Sequence, residues 1–550
     1  MEHIKERDSI METCLIKKIE QPNNVIMNPF TANLLGIPRK KEEFILRLGS
    51  EAEEIKLALN DTVQDYEILL PSNVLKKFPL PTSCEFEAYY GDNELVIGPY
   101  LGVYAGDKDG IMFHAFSYFN EYLNNYGEMK GLIVYFNKNG IDKINNKIYG
   151  FYYNPVYKIW ESGFFPIPPA IHNFRPMKRP ERKFFNSFIK NTKIYNYRLL
   201  NKDTINSKLL KSETLNNYIP DTGFLNNKND IEKFLFNYGN IYIKPIFGMK
   251  GNGIFNLKLL DNGNIKSIFI EKGIQEENEF TNVDEFLQKH DVLIEKPEMF
   301  FIQQTVGINI NSKQIDFRVG LDKDQSLEWK ISFIGAKVST NKIVSNRSTG
   351  ASILKPQELL KDIYKFSDQE IGHILPEMER VSLAIAEELD NSGFLMAKLG
   401  VDLGVDDEGK LWVIEVNNLD PGNQMLKSLN DMDSYEQIRK SNLLYGKKIQ
   451  GFLDKSKNNI VLKFDRQKEE NYISFSDNNH KHYELFIFNK SKKTIEYIRS
   501  FIEYYLSSNS LPFSIQKTIG RVGIKLNLVA KSDELVKIIP KISNETTCIT

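Results

Sequence analysis

In the stretch Ile241-Tyr-Ile-Lys-Pro-Ile-Phe-Gly-Met-Lys-Gly-Asn-Gly-Ile254, an apolar strand ends in Lys244-Pro245 and runs into a loop carrying Gly248, Gly251 and Gly253. Glycines let backbone N–H groups come close to phosphate oxygens. A lysine leaving the strand just before such a loop can neutralise phosphate charge. No Gly-Lys-Ser/Thr follows, so this is not the Walker pattern. On these residues alone, nucleotide binding and a plain hairpin loop both stand.

Downstream, Asp402-Leu-Gly-Val-Asp-Asp-Glu-Gly-Lys-Leu-Trp-Val-Ile-Glu-Val-Asn417 places two strands around a tight turn, Asp406-Asp-Glu-Gly409. Val413, Glu415 and Asn417 alternate onto one face of the second strand. The hairpin can bring Asp402, Glu415 and Asn417 side by side. Three oxygen donors on rigid strands suit Mg²⁺, which prefers oxygen ligands and fills its other positions with water or phosphate oxygens. A solvated hairpin is the plainer reading. Against it, Glu415 sits between Ile414 and Val416, where a carboxylate needs a partner or a metal.

Outward from these motifs, residues 1–92 read as a β-rich module, with strands at Phe44–Leu48, Tyr66–Leu70 and Glu85–Tyr90. Leu95 to Tyr104 reads as a buried strand interrupted by Gly98-Pro99. Helical spacing around His114 to Tyr126 and a strand at Gly131–Phe136 follow it. Strand, helix, strand suggests a βαβ unit with a parallel sheet over residues 93–190. Gly98 and Gly102 read as close backbone packing in preference to phosphate contact. The informative motifs fall within 191–455. Residues 456–550 read as a small α+β extension, with strands at Leu462–Phe464, Tyr483–Phe488 and Val522–Val529. Val381, Ala384, Ile385 and Leu389 form a helical apolar stripe, read as core.

The chain of 550 residues is too long for one core. Its 71 Lys+Arg against 72 Asp+Glu give no charge bias toward nucleic acid or membrane surfaces. Its aromatics form no stripe interleaved with basic residues, as a nucleic-acid platform would require. Three scattered cysteines, Cys14, Cys84 and Cys548, offer no metal-ligand spacing and fit a reduced compartment. Met1 to Glu20 lacks the apolar core of a secretory signal, and no run of about 18 apolar residues could span a bilayer. A cytoplasmic protein is the expectation.

Taken in order, Lys-Pro-x-x-Gly-x-x-Gly-x-Gly, a strand with the pair Gln303-Gln304, Asp316-Phe-Arg318 and the Glu-Val-Asn hairpin resemble the ATP-grasp superfamily. Within it, the chain resembles the spore-coat-associated YheC/YheD branch. Ile97-Gly-Pro-Tyr-Leu-Gly102, Asn201-Lys-Asp203 through Pro220-Asp-Thr222, and Gly400 to Asp406 support the likeness, which covers roughly residues 40–445. It implies an α/β and α+β multidomain architecture: a pre-ATP-grasp βαβ domain, then a two-lobed ATP-grasp fold. The β-rich N-terminal module and the α+β extension flank these.

The resemblance also implies roles. Lys202 and Lys244 would contact phosphates, under a lid carrying Gly248, Gly251 and Gly253. The backbone around Gln304 and Val306 would hydrogen-bond adenine, with Gln303 adding a side-chain contact. Asp316 would hold the ribose. Arg318 would face the transferring γ-phosphoryl group, where a planar, permanently charged fork suits spread charge. Asn346, in Ser345-Asn-Arg-Ser-Thr-Gly350, would line the site. Asp402, Glu415 and Asn417 would hold Mg²⁺. Arg175 falls where a basic residue could meet the acid substrate. His172, beside a Pro-rich turn, reads as an ordinary loop histidine. ATP and Mg²⁺ are the expected cofactors, with a small-molecule or peptide carboxylate and an amine as partners, and no nucleic acid or membrane.

The implied activity is an ATP-dependent carboxylate–amine ligase forming an amide through an acyl phosphate, with ADP and phosphate released. An ATP-grasp kinase acting on a hydroxyl, or a non-catalytic coat protein, are the alternatives. Several positions depart from the family pattern: Met249 for Ser, Lys337 for Arg, Lys398 for an acid and Ala351 for a second Gly. The segment from Asn417 to Pro421-Gly422 is also one residue longer than usual. These departures cluster on the acceptor side.

Overall fold

The computed structural model describes residues 11–20, 24–106, 119–156, 158–173, 175, 177–188, 192–197, 200, 202–246, 253–271, 274–306, 309–310, 313–339, 352–391, 393, 395–454, 456–465, 481–488, 513–517, 523–530 and 546–549. The chain forms two compact units. One comprises 1–197, 325–327 and 439–550; the other comprises 198–324 and 328–438.

The first unit holds a closed barrel. Its strands run in the order Thr13–Ile19, Ile460–Phe464, Phe86–Gly91, Glu94–Gly98, Glu43–Leu48, Glu51–Leu59, Val25–Met27 and Glu67–Pro71. Alternation fills it: Phe44, Leu46 and Leu48 are buried while their neighbours are not. Ile16, Ile55, Ile68, Phe86, Ile97 and Leu462 join them in one core.

The sequence reading set 456–550 apart as an extension. The structure corrects this for Ile460–Phe464, which pairs in parallel with Thr13–Ile16 and antiparallel with Phe86–Ala88. It closes the barrel because the strands on either side would otherwise expose unpaired N–H and C=O groups. Strands Lys481–Phe488, Phe513–Lys517, Gly523–Ala530 and Thr546–Ile549 likewise continue the unit's second sheet, joined to it where Trp160 pairs with Cys548.

The expected parallel pairing in that second sheet is present: Tyr100–Tyr104 runs alongside Leu132–Phe136, with helical turns at 120–129 between them. The Gly98–Pro99 bond, which is cis, lies where the chain leaves the barrel for this sheet. A Cβ on Gly98 would lie 2.7 Å from the Phe452 ring, and one on Gly102 would lie 2.5 Å from Pro168. Close packing is thus the role of both.

The second unit contains two six-stranded antiparallel sheets. One runs Thr222–Phe224, Phe300–Gln304, Asn240–Pro245, Ile254–Leu259, Ile265–Glu271 and Ile274–Phe280. Helices Lys228–Tyr238 and Val283–Lys289 pack on it through Ile231, Leu235, Val283, Phe286 and Leu287. The other sheet runs Ser352–Leu354, Trp329–Ser339, Lys313–Lys323, Lys398–Val405 and Leu411–Asn417, with Asn309–Ile310 pairing to Lys313–Gln314.

Candidate nucleotide site

The second of these sheets has two unlike faces, and strand alternation makes them so. Ile315, Phe317, Val319, Leu321, Leu399, Val401 and Leu403 are fully buried. They face helix Asp368–Asp390, whose Ile371, Ile374, Met378, Val381, Ile385 and Leu389 are also buried. Ala384 lies at the edge of that stripe, half-buried. The intervening residues fill the opposite face with charge: Asp316 and Arg318 on one strand, Lys337 on its neighbour, Asp402 on the other side.

Pairing fixes these contacts. Asp316 stands opposite Lys337, Arg318 opposite Asp402, and Asp402 opposite Glu415. Asn417 sits opposite Gly400 on the same face and donates to Asp402 Oδ2 at 3.4 Å. The hairpin expected from sequence is therefore formed and gathers Asp402, Glu415 and Asn417. Its turn is braced by Asp406, which accepts from the backbone of Glu408 and Lys410 and from the Trp412 indole.

Arg318 grips Asp402 with two parallel bonds, Nε to Oδ1 and Nη2 to Oδ2, both 2.7 Å. Its Nη1 donates to the carbonyl of Asp420 at 2.9 Å. Lys337 Nζ lies 2.9 Å from Oδ1 of both Asp402 and Asp316. Burial opposes all these charges. The guanidinium and ammonium nonetheless hold Asp402 well below the usual carboxylate range, and the carboxylates hold Arg318 and Lys337 up. Burial pushes the nearby Lys398 down, with Asp420 and Asp322 opposing.

Two glycines to which the sequence reading gave no packing role make room for Arg318. A Cβ on Gly400 would lie 2.7 Å from the Asp420 carbonyl and 2.9 Å from Nη1; one on Gly422 (φ +85°) would lie 3.2 Å from Nη1. Asp420 itself was also missed. Its backbone carbonyl meets Arg318, a role no side-chain pattern reveals.

On the first sheet, Lys244 Nζ donates to Gln303 Oε1 at 2.5 Å, and Gln303 Nε2 donates to Thr222 Oγ1 at 3.1 Å. Gln303, expected near adenine, thus braces Lys244. The Tyr242 ring centroid lies 5.0 Å from the ammonium. The backbone N–H of Gln304 donates to Asp221, that of Thr305 donates to Asn240, and Val306 is buried next to them. Asp316, expected at the ribose, is ion-paired with Lys337. Gly253, at φ +74°, begins the return strand.

Gly248, Gly251, Asn346 and the Lys202 side chain lie outside the described residues. In the other unit, His172 is not on a loop: it is buried on strand Ala170–Asn173 and stacks on Tyr195 at 4.8 Å. Arg175 is half-buried there.

The donor set fits a divalent cation in part. Glu415 and Asn417 offer hard oxygens on a rigid strand. Asp402 has about four lone-pair positions, and Arg318 Nε, Lys337, Arg318 Nη2 and Asn417 address all of them. Among the described residues, no group of three or more His, Cys, Asp or Glu forms a metal cluster.

Two antiparallel lobes, a lysine at a strand end before a glycine loop, and an Asp/Glu-x-Asn hairpin are the features by which this unit resembles ATP-grasp proteins. Residues 191–449 match the family described as YheC/D like ATP-grasp. The endospore coat-associated protein YheD of Bacillus subtilis (strain 168) is 24% identical over 398 residues, covering 68% of this chain and 84% of the relative. Among solved structures, the RiPP-associated ATP-grasp ligase of Chryseobacterium gregarium shares 13% identity over 63% of this chain and 97% of its own, with a TM-score of 0.32. The D-alanine-D-alanine ligase of Coxiella burnetii shares 9% over 64% and 98%, with a TM-score of 0.33. Scores of this size leave the placement of domains to be read from this chain. Among the described residues, no helix is long and apolar enough to cross a membrane.

Proposed function

We propose that the chain is an ATP-dependent carboxylate–amine ligase that forms an amide through an acyl phosphate and acts on a peptide or amino-acid carboxylate. One observation carries the reading most. Arg318 is fixed by two bonds to Asp402 and one to the Asp420 carbonyl, on the sheet that also carries Glu415 and Asn417. Lys244, at the strand end before the glycine loop, belongs to the same unit.

Lys244 would bind the nucleotide's phosphates, with Gln303 directing one of its protons away and leaving the others for phosphate. Arg318, already held flat by Asp402 and the Asp420 carbonyl, needs no reorganisation to stabilise spread charge on the γ-phosphoryl group. Glu415 and Asn417 would hold Mg²⁺, which when bound supplies charge neutralisation at the phosphates. We keep Asp402, assigned from sequence to the metal, as the carboxylate that fixes Arg318. The substrate carboxylate oxygen bonds to the γ-phosphorus as the bond to ADP breaks. The amine nitrogen then bonds to the acyl carbon, the acyl–oxygen bond to phosphate breaks, and the amine's surplus proton passes to the departing phosphate or to solvent. Water must be excluded while the acyl phosphate exists.

We read the sheet built on Tyr100–Tyr104 as the pre-ATP-grasp domain. The name of the Bacillus relative supports a setting in the endospore coat. In a screen of acids trapped with hydroxylamine, the expected products are a hydroxamate and ADP. Release of AMP would rule out the acyl-phosphate route, and phosphate stably retained on a product would favour a kinase.

A further inference from the structure

Asn418, the residue after Asn417, is 0% exposed. Its Oδ1 accepts the backbone N–H of Leu200 at 3.0 Å, and its Nδ2 lies 3.9 Å from Met396 Sδ. Burying an amide is costly unless its polar atoms are matched. A leucine of similar volume would fill the same space without that cost, so the polar group is kept for what it ties together.

What it ties is the start of a helix. Leu200 lies two residues ahead of helix Lys202–Leu209. Ile205 and Leu209 of that helix are buried, and it packs on strand Leu411–Asn417 and on helix Asp368–Asp390. Apolar contacts of this kind are non-directional and leave the helix free to slip along its axis. A slip of one residue moves the first turn by about 1.5 Å and rotates its side chains through about 100°. The directional bond to Asn418 fixes where the helix begins.

We propose that Asn418 is a positioning residue: it sets the backbone that carries Lys202 in register with Glu415 and Asn417, so that the lysine and the hairpin address the same phosphates. This rests on the ligase reading and on Lys202 meeting phosphate, as the resemblance implies. Asn418 itself touches no substrate; it acts through Leu200.

The test measures the affinity of the full chain for ADP and for adenosine by calorimetry in Mg²⁺. Asn418→Ala should bind ADP about tenfold more weakly than the native chain. Its affinity for adenosine, which has no phosphate, should stay within about twofold. In a Lys202→Ala background, Asn418→Ala should cause no further loss of ADP affinity, because the two residues act as one unit. Asn418→Asp keeps the accepting oxygen and should hold ADP within about threefold of native. Equal weakening of ADP and adenosine, or a full second loss in the Lys202→Ala background, would show a merely structural role and overturn the inference. Should Asn418→Ala not fold, the aspartate variant decides: a folded Asn418→Asp that loses ADP affinity about tenfold overturns it too. A native chain that binds no ADP brings down the ligase reading itself, an outcome distinct from intact ADP binding with additive losses.

Discussion

Asp402 shows what a single residue does in this site. The sequence reading assigned it to Mg²⁺ because the hairpin sets it beside Glu415 and Asn417; the structure surrounds it with Arg318 and Lys337. Alternation told which face it occupies, and that part was legible. Its partners were not, since Arg318 and Lys337 lie far away in sequence and only strand pairing unites them. Because its folded value is depressed, its contribution to stability is complete above the ordinary carboxylate value near ~4 and fades as pH falls through the depressed value. Asp402→Asn should cost about 3–5 kcal/mol at neutral pH by leaving buried cations short of a partner. The gap to the native chain should hold from pH 7 to 5 and narrow below about pH 4. Urea unfolding followed by the fluorescence of Trp329 and Trp412, in a Trp160→Phe background, measures it.

At the scale of elements, the decisive one is the sheet with an apolar and a charged face. Its apolar side is the reason the charged side can be so fixed: helix Asp368–Asp390 seals it over 23 residues. The sequence reading found only the second half of that helix. Pro376 lies inside the first half, and a proline normally ends a helical pattern, so Ile371, Ile374 and Met378 went unclaimed. Ile385 is fully buried in the seam. Ile385→Ala should cost about 2–5 kcal/mol, whereas Glu387→Ala on the exposed side should stay within about 0.5 kcal/mol. Urea midpoints of the two variants give the comparison. The edges of the glycine loop, Lys244 and Gly253, were legible from sequence because glycine and proline mark a strand end clearly. Gly400 and Gly422 were not, since their role is to leave space for a distant side chain.

For the whole molecule, local signals did least well where pairing is most distant. The strands of the N-terminal module were readable from alternation and turn residues, yet nothing near Ile460 announces a partner in Thr13 or Ala88. A chain truncated after residue 455 loses that strand. The facing edges of Thr13–Ile19 and Phe86–Gly91 would then be open, and open edges pair with other chains. The truncated protein is expected to be insoluble or aggregated, as judged by sedimentation, while the separately expressed 198–438 region should be less affected.

The same closure bears on how the chain is made. The barrel's stave Thr13–Ile19 leaves the ribosome about 440 residues before Ile460–Phe464, which closes it. At roughly 5–20 residues per second, the nascent barrel stands unclosed for about 20 to 90 seconds. Throughout that interval its early strands offer sticky margins to the crowded cell, so a holding chaperone would be of most use to this protein before synthesis ends.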